Sequence, residues 1–200
     1  MPQLVKPSVD SPPRGFSLLE LILVLSIVVT IAALAVPNLM SMVGENAVFG
    51  EADELRDALA EARRFSVETG IDYEVRYEVG GHHLVVMPND VTTEESTERT
   101  STRTDQQYYA LLPLDEGITI RRAKGEEEQS ETLEASRFGD LGGAELARLR
   151  WSTPVMFRFD GTAEDFTFRV SNDAGLTSDV TLRGLTGTTR ISQVYPEEDL

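Results

Sequence analysis

Phe16-Ser17-Leu18-Leu19-Glu20-Leu21-Ile22-Leu23-Val24-Leu25-Ser26-Ile27-Val28-Val29-Thr30-Ile31-Ala32-Ala33-Leu34-Ala35-Val36 is an unbroken apolar run whose only strongly polar member is Glu20. At about 1.5 Å per residue it is long enough to cross a bilayer as a helix. Lys6 and Arg14 precede it, whereas the first charges beyond it are Glu45, Glu51 and Asp53. The positive-inside rule therefore places residues 1–15 in the cytoplasm and the bulk of the chain across the membrane.

The run admits three readings. It can be an uncleaved single-pass anchor that tolerates one acid. It can be a removable signal peptide, since Ala33-Leu34-Ala35 is an A-x-A site that would leave Val36 as the new terminus, although its apolar core exceeds the usual 7–15 residues. The third reading starts from the junction placed ahead of the run, Arg14-Gly15-Phe16-Ser17-Leu18-Leu19-Glu20. Gly15 has no side chain, so extended backbone there can lie close against another surface. A carboxylate inside hydrocarbon costs about 2.5–3.5 kcal/mol on insertion scales, so Glu20 needs a partner or a proton. Ser17 and Glu20 also make a capping box, and a helix starting at Phe16 would bring its amine and Glu20 into i,i+4 proximity. Local and intersubunit pairing of Glu20 are both open on spacing alone.

Beyond the run, Pro37 and Gly44 are soft points in a helix that then resumes. Val48, Ala52, Leu55, Ala58, Leu59, Ala62 and Phe65 follow steps of three and four residues, with Glu51, Asp53, Glu54, Asp57, Glu61, Arg63 and Arg64 between them. Thr69-Gly70 supplies a stop, so residues 16–68 are predicted as one long kinked helix: a membrane half, 16–36, and an amphipathic half, 37–68. After it the period changes to two. Tyr73, Val75, Tyr77 and Val79 alternate with Asp72, Glu74, Arg76 and Glu78, which predicts a half-buried strand, a turn at Gly80-Gly81, and a return strand over 82–87.

Residues 91–107 are too polar to bury a core and read as a loop, as does the acidic run 126–134. Strands are expected at 108–114 and 118–121, and a short helical turn at 144–149. The last quarter, with apolar-alternating runs at 155–159, 166–170, 180–183 and 189–191, reads as a four-strand antiparallel meander. The class is α+β, a long N-terminal helix packed on a small antiparallel sheet formed by residues 69–200.

Composition narrows the function. The chain has 200 residues, 18 Lys and Arg against 34 Asp and Glu, a formal net charge of −16 and no cysteine. Such a surface repels phosphates, so nucleic-acid binding is not expected; Arg121, Arg122 and Lys124 form only a small basic cluster. Thiolate metal sites and cysteine nucleophiles are excluded. Adjacent strand residues point to opposite faces, so His82 and His83 do not share a metal. Asn172, Asp173 and Asp179 could offer oxygen ligands but lack the order of a calcium loop. No phosphate loop, nucleophile elbow or zinc helix motif is present, and no enzyme activity, cofactor or metal is expected.

The junction Gly15-Phe16-Ser17-Leu18-Leu19-Glu20, followed by the apolar run and Ala35-Val36-Pro37-Asn38-Leu39, resembles the class III signal of type IV pilins and type II secretion pseudopilins. Residues 1–15 form a longer leader than the shortest in that family. The C-terminal half is similar to the H-type minor pseudopilins, in Pro154-Val155-Met156-Phe157-Arg158-Phe159-Asp160-Gly161 and Leu185-Thr186-Gly187-Thr188-Thr189-Arg190-Ile191. The resemblance implies cleavage by prepilin peptidase between Gly15 and Phe16, N-methylation of Phe16, and pairing of Glu20 with the Phe16 amine of a neighbouring subunit. It implies a bacterial inner-membrane protein with a periplasmic C-terminal domain, assembled into a pseudopilus that supports protein export. Its partners would be prepilin peptidase, other major and minor pseudopilins, an inner-membrane assembly platform and membrane lipid. The competing readings are a minor type IV pilin for DNA uptake or adhesion, and a soluble periplasmic enzyme released at Ala35.

Overall fold

A computed structural model describes residues 17–89, 107–123 and 129–197, without the side chains of 34 and 36–41. The loop expected at 91–107 lies almost wholly outside the described residues. Contacts divide the chain into two units, 1–42 and 43–200, and the single helix α1, Leu18–Thr69, contributes to both. The helical backbone continues through position 37, where a kink was expected.

Within the second unit the three- and four-residue spacing of α1 becomes burial. Val48, Ala52, Leu55, Ala58, Leu59 and Ala62 are all at most 5% exposed, and they join the main core. The helix stops where Gly70 takes φ 68° and donates its N–H to the Ser66 carbonyl at 3.0 Å, a left-handed cap that a Cβ would strain.

The strands lie in three antiparallel sheets rather than one. β1 (Tyr73–Tyr77) pairs with β2 (His83–Pro88), and β2 with β3 (Ala110–Pro113). Gly117, with φ 80°, then turns the chain out of this sheet and into the second one, at β4 (Ile118–Arg122). β5 (Ser130–Glu131) and β6 (Trp151–Ser152) form a two-stranded ribbon, so part of the acidic run expected to be loop is strand. A 3-10 turn at Ala135–Phe138 and a single helical turn at Gly143–Leu146 lie between them.

The expected four-strand meander is corrected. β7 (Val155–Phe157) does not join its successors; it pairs with β1, placing Val155 opposite Val75 and Phe157 opposite Tyr73. Only β8 (Phe166–Asn172), β9 (Leu176–Arg183) and β10 (Thr188–Ile191) form a meander, with β4 on its far edge and β11 (Tyr195–Pro196) against β9. The turn after β7, closed by Arg158 N–H on the Thr162 carbonyl at 2.8 Å, carries the chain from the first sheet to the second. Alternation identifies a strand but not its partner, because pairing is chosen by the complementary apolar face available in three dimensions.

One core unites the buried side of α1 with Tyr73, Val75, Leu84 and Val86 of the first sheet and Ile120, Phe168, Val180 and Leu182 of the second. A smaller core of Val85, Met87, Phe138, Leu146 and Trp151 covers the opposite face of the first sheet.

Candidate assembly segment and charged clusters

The N-terminal segment starts with a cap. The Glu20 N–H donates to Ser17 Oγ at 3.1 Å and to the Ser17 carbonyl, satisfying one of the orphan donors of the first turn. The return half of the capping box is absent among the described contacts: no hydrogen bond or ion pair holds the Glu20 carboxylate. Gly15 and Phe16 lie outside the described residues, so of the three sequence-predicted site residues only Glu20 is placed.

Around Glu20 the helix presents hydrocarbon. Leu18, Leu19, Leu21, Ile22, Leu23, Val24, Leu25, Ile27, Val28, Val29 and Ile31 are all exposed. The two hydroxyls of the segment turn back on the helix, Ser26 Oγ donating to the Leu23 carbonyl and Thr30 Oγ1 to the Ser26 carbonyl, both at 2.8 Å. Ser26 and Thr30 thus ask nothing of solvent, and the carboxylate of Glu20 is the polar group left over. Among the described residues no helix is long and apolar enough to cross a membrane.

The second cluster is one that the alternation of β1 misassigned. Glu74 and Arg76, expected on a solvated face, are 1% and 6% exposed. Glu74 accepts from Arg76 Nη2 at 3.1 Å and from Arg137 Nη2, and Arg76 Nη1 reaches the Ser152 carbonyl at 2.9 Å as well as Glu131. The network ties β1 to the 3-10 turn, β5 and β6, and so fastens the small core over the sheet. A cleft of about 360 Å³ beside it is lined by Asn89, Leu133, Pro154 and Met156 together with the network residues. The sequence signal was present in the lone Trp151, which is fully buried, packs 5.5 Å from Phe138 and donates from Nε1 to the Leu146 carbonyl at 2.9 Å.

The other polar residues singled out from sequence are occupied locally. His83 Nδ1 lies 2.6 Å from Glu78 Oε2, and His82 Nδ1 lies 2.9 Å from the Ile118 carbonyl. Asn172 Oδ1 accepts from the N–H groups of Ala174 and Leu176, while Asp179 takes Arg169 through both oxygens and also Tyr195 Oη. Arg121 pairs with Glu197, Arg122 stacks over Phe166, and Lys124 lies outside the described residues. Among the described residues no group of three or more His, Asp or Glu is placed to hold a metal.

No family model and no curated protein matches the chain. Two solved structures of the minor pseudopilin EpsH from the type II secretion system of Vibrio cholerae are similar to it at 14% identity. One likeness covers 72% of this chain and 94% of that one with a TM-score of 0.44; the other covers 78% and 98% with a TM-score of 0.46.

Proposed function

We propose that the chain is a minor pseudopilin: a structural subunit of a type II secretion system, and a substrate of processing enzymes rather than an enzyme. The observation that carries this reading is the Gly15-Phe16-Ser17-Leu18-Leu19-Glu20 junction opening an apolar helix, with Ser17 engaged in the cap and the Glu20 carboxylate without a partner among the described residues. A free carboxylate one turn into an apolar helix is costly in hydrocarbon, and a fresh α-amine on Phe16 of the next subunit is the cation that would offset it.

In this reading prepilin peptidase cuts after Gly15 and methylates Phe16, and residues 16–36 span the inner membrane until assembly. Apolar helices of successive subunits then pack together as they leave the bilayer, and the Glu20–amine pair sets their axial register. Residues 69–200 face the periplasm, where other pseudopilins and the assembly platform meet them.

The test is the N-terminal residue and mass of the mature protein from its native membrane. A start at N-methylated Phe16 is expected. A start at Val36 would mean an ordinary exported protein and a start at Met1 or Pro2 an unprocessed anchor, and either outcome overturns the filament reading.

A further inference from the structure

We infer that Tyr195–Glu197 is an exchangeable strap. It fills a seat on the outer face of the second sheet that also accepts an extended segment of a neighbouring subunit, one with an aromatic residue and an acid two positions on. The identity of that neighbour rests on the filament reading; the seat and its chemistry do not.

Register builds the seat. Arg121 of β4 lies directly opposite Arg169 of β8, and Arg169 opposite Asp179 of β9, so two guanidinium groups stand side by side on one face. Asp179 engages Arg169 through both oxygens, at 2.9 and 3.2 Å. Among the described residues no acid of β4, β8, β9 or β10 is placed on Arg121, and Glu197 supplies its counter-charge. In the next row Thr119, Ser171 and Thr177 stand opposite one another, a strip of short hydroxyl side chains over which longer ones can reach.

The strap fits this seat incompletely. Tyr195 pairs with Thr177 and Pro196 with Leu176, a short ladder in which Pro196 has no N–H to give. Its other holds are the Tyr195 hydroxyl on Asp179 at 2.9 Å, the Glu197 N–H on the Gly175 carbonyl at 2.7 Å, and the Glu197 carboxylate. That carboxylate meets both arginines through the single oxygen Oε1, in contact with Arg121 and 3.5 Å from Arg169. Two buried atoms of the seat, Thr177 Oγ1 and Arg121 Nε, have no hydrogen-bond partner among the described residues. Buried polar atoms left unpaired are costly, so an occupant that reaches them holds the seat better than the strap does. Just ahead of the strap the chain is anchored, since Ser192 exchanges hydrogen bonds with Asp179 and Val194 packs on the main core. Exchange therefore moves only Tyr195–Glu197 and leaves the sheet intact.

What the seat selects follows from what fills it. Side-by-side arginines require an anion, the Arg169–Asp179 pair offers a guanidinium to an aromatic ring and an acceptor to its hydroxyl, and the edge of β9 at Leu176 and Thr177 takes extended backbone. An aromatic residue and an acid two positions apart lie on one side of a strand and meet all three. One seat per chain joins one neighbour, in keeping with a minor subunit.

The full-length chain in detergent is titrated with a labelled synthetic peptide, Gln-Val-Tyr-Pro-Glu-Glu, the sequence of residues 193–198, and binding is read by fluorescence anisotropy. The strap variant Y195A/E197A should bind the peptide about tenfold tighter than the wild type, or more, because the seat is closed in less of its population. E197Q, which keeps the shape of the strap, should give a smaller gain in the same direction. Adding R121A to the strap variant, or replacing the first glutamate of the peptide by glutamine, should remove the gain. Equal binding by the wild type and both strap variants, or binding indifferent to R121A, overturns the exchange while leaving the pseudopilin reading intact. A mature terminus other than Phe16 overturns that reading, and the neighbouring subunit with it, whereas the exchange itself stands or falls on the peptide.

Discussion

The two larger sheets are written in the same alternating pattern, yet they are used differently. In β1 all five residues are buried, whereas β8 alternates buried apolar residues with half-buried Thr167 and Arg169. The difference lies in what the chain places on the outer face. Across the first sheet it lays residues 130–152, and the charges of β1 must then satisfy one another; over the second, among the described residues, only the side chains of Tyr195 and Glu197, at the edge where β11 pairs with β9, reach the charges of the outer face. Burial turns the same kind of residue pair from a minor surface contribution into a requirement.

The contrast can be broken most severely at the cover. Trp151→Ala removes the largest fully buried side chain together with its hydrogen bond to Leu146, and should cost about 4 kcal/mol. Denaturant unfolding of the full chain measures it, and a loss below about 1 kcal/mol would mean that the small core does not stabilise the sheet. Next comes Glu74→Ala, which strands Arg76 and Arg137 without their common acceptor. The expected loss is about 3 kcal/mol, since buried Arg76 keeps only the half-exposed Glu131 as a carboxylate partner and Arg137 keeps none among the described residues.

The matching substitution on the open sheet is Arg169→Ala. Arg169 meets Asp179 through a bidentate contact and Tyr195 through ring stacking, but the ion pair is partly solvated on both sides. About 1 kcal/mol is expected, about a third of the Glu74 effect. Equal losses at Glu74 and Arg169 would show that cover does not set the energetics of these pairs.

How far the sequence reveals this arrangement follows from the range of the forces involved. The helix from Leu18 to Thr69 is legible because its signals, the 3.6-residue stripe and Gly70, act within a few residues. The longer strands are legible for the same reason, within a residue or two at most ends, but the two-residue β5, β6 and β11 are not. What escapes is partnership: that Val155–Phe157 belongs with Tyr73–Val75, and that Phe138 and Trp151 close over Val85 and Met87. These choices depend on surfaces created by distant segments, and Glu74 and Arg76 look like any solvated strand face until the cover is known. Glu20 stands out for the opposite reason, as an acid within an apolar run contradicts its own neighbourhood.

The smallest effect is expected where α1 touches the turn between the sheets. Glu51 is 6% exposed, its Oε1 accepts the Asp115 N–H at 2.9 Å, and its Oε2 has no partner. Burial, which disfavours the charged form, raises its pKa above the ordinary carboxylate value; the Asp115 N–H opposes this shift, and the nearby charges of Glu54 and Asp115 add to it. The folded chain therefore holds the Glu51 proton more tightly than the unfolded chain does. At neutral pH, above both values, the charged carboxylate costs stability, and that cost fades as pH falls through the folded pKa toward the unfolded one. Glu51→Gln keeps an acceptor for Asp115 and deletes the charge, so it should raise the melting temperature slightly at pH 7, with an advantage that narrows toward pH 4. An advantage that stayed constant with pH would mean that Glu51 acts through packing alone, and one that widened on acidification would reverse the sign of its burial effect.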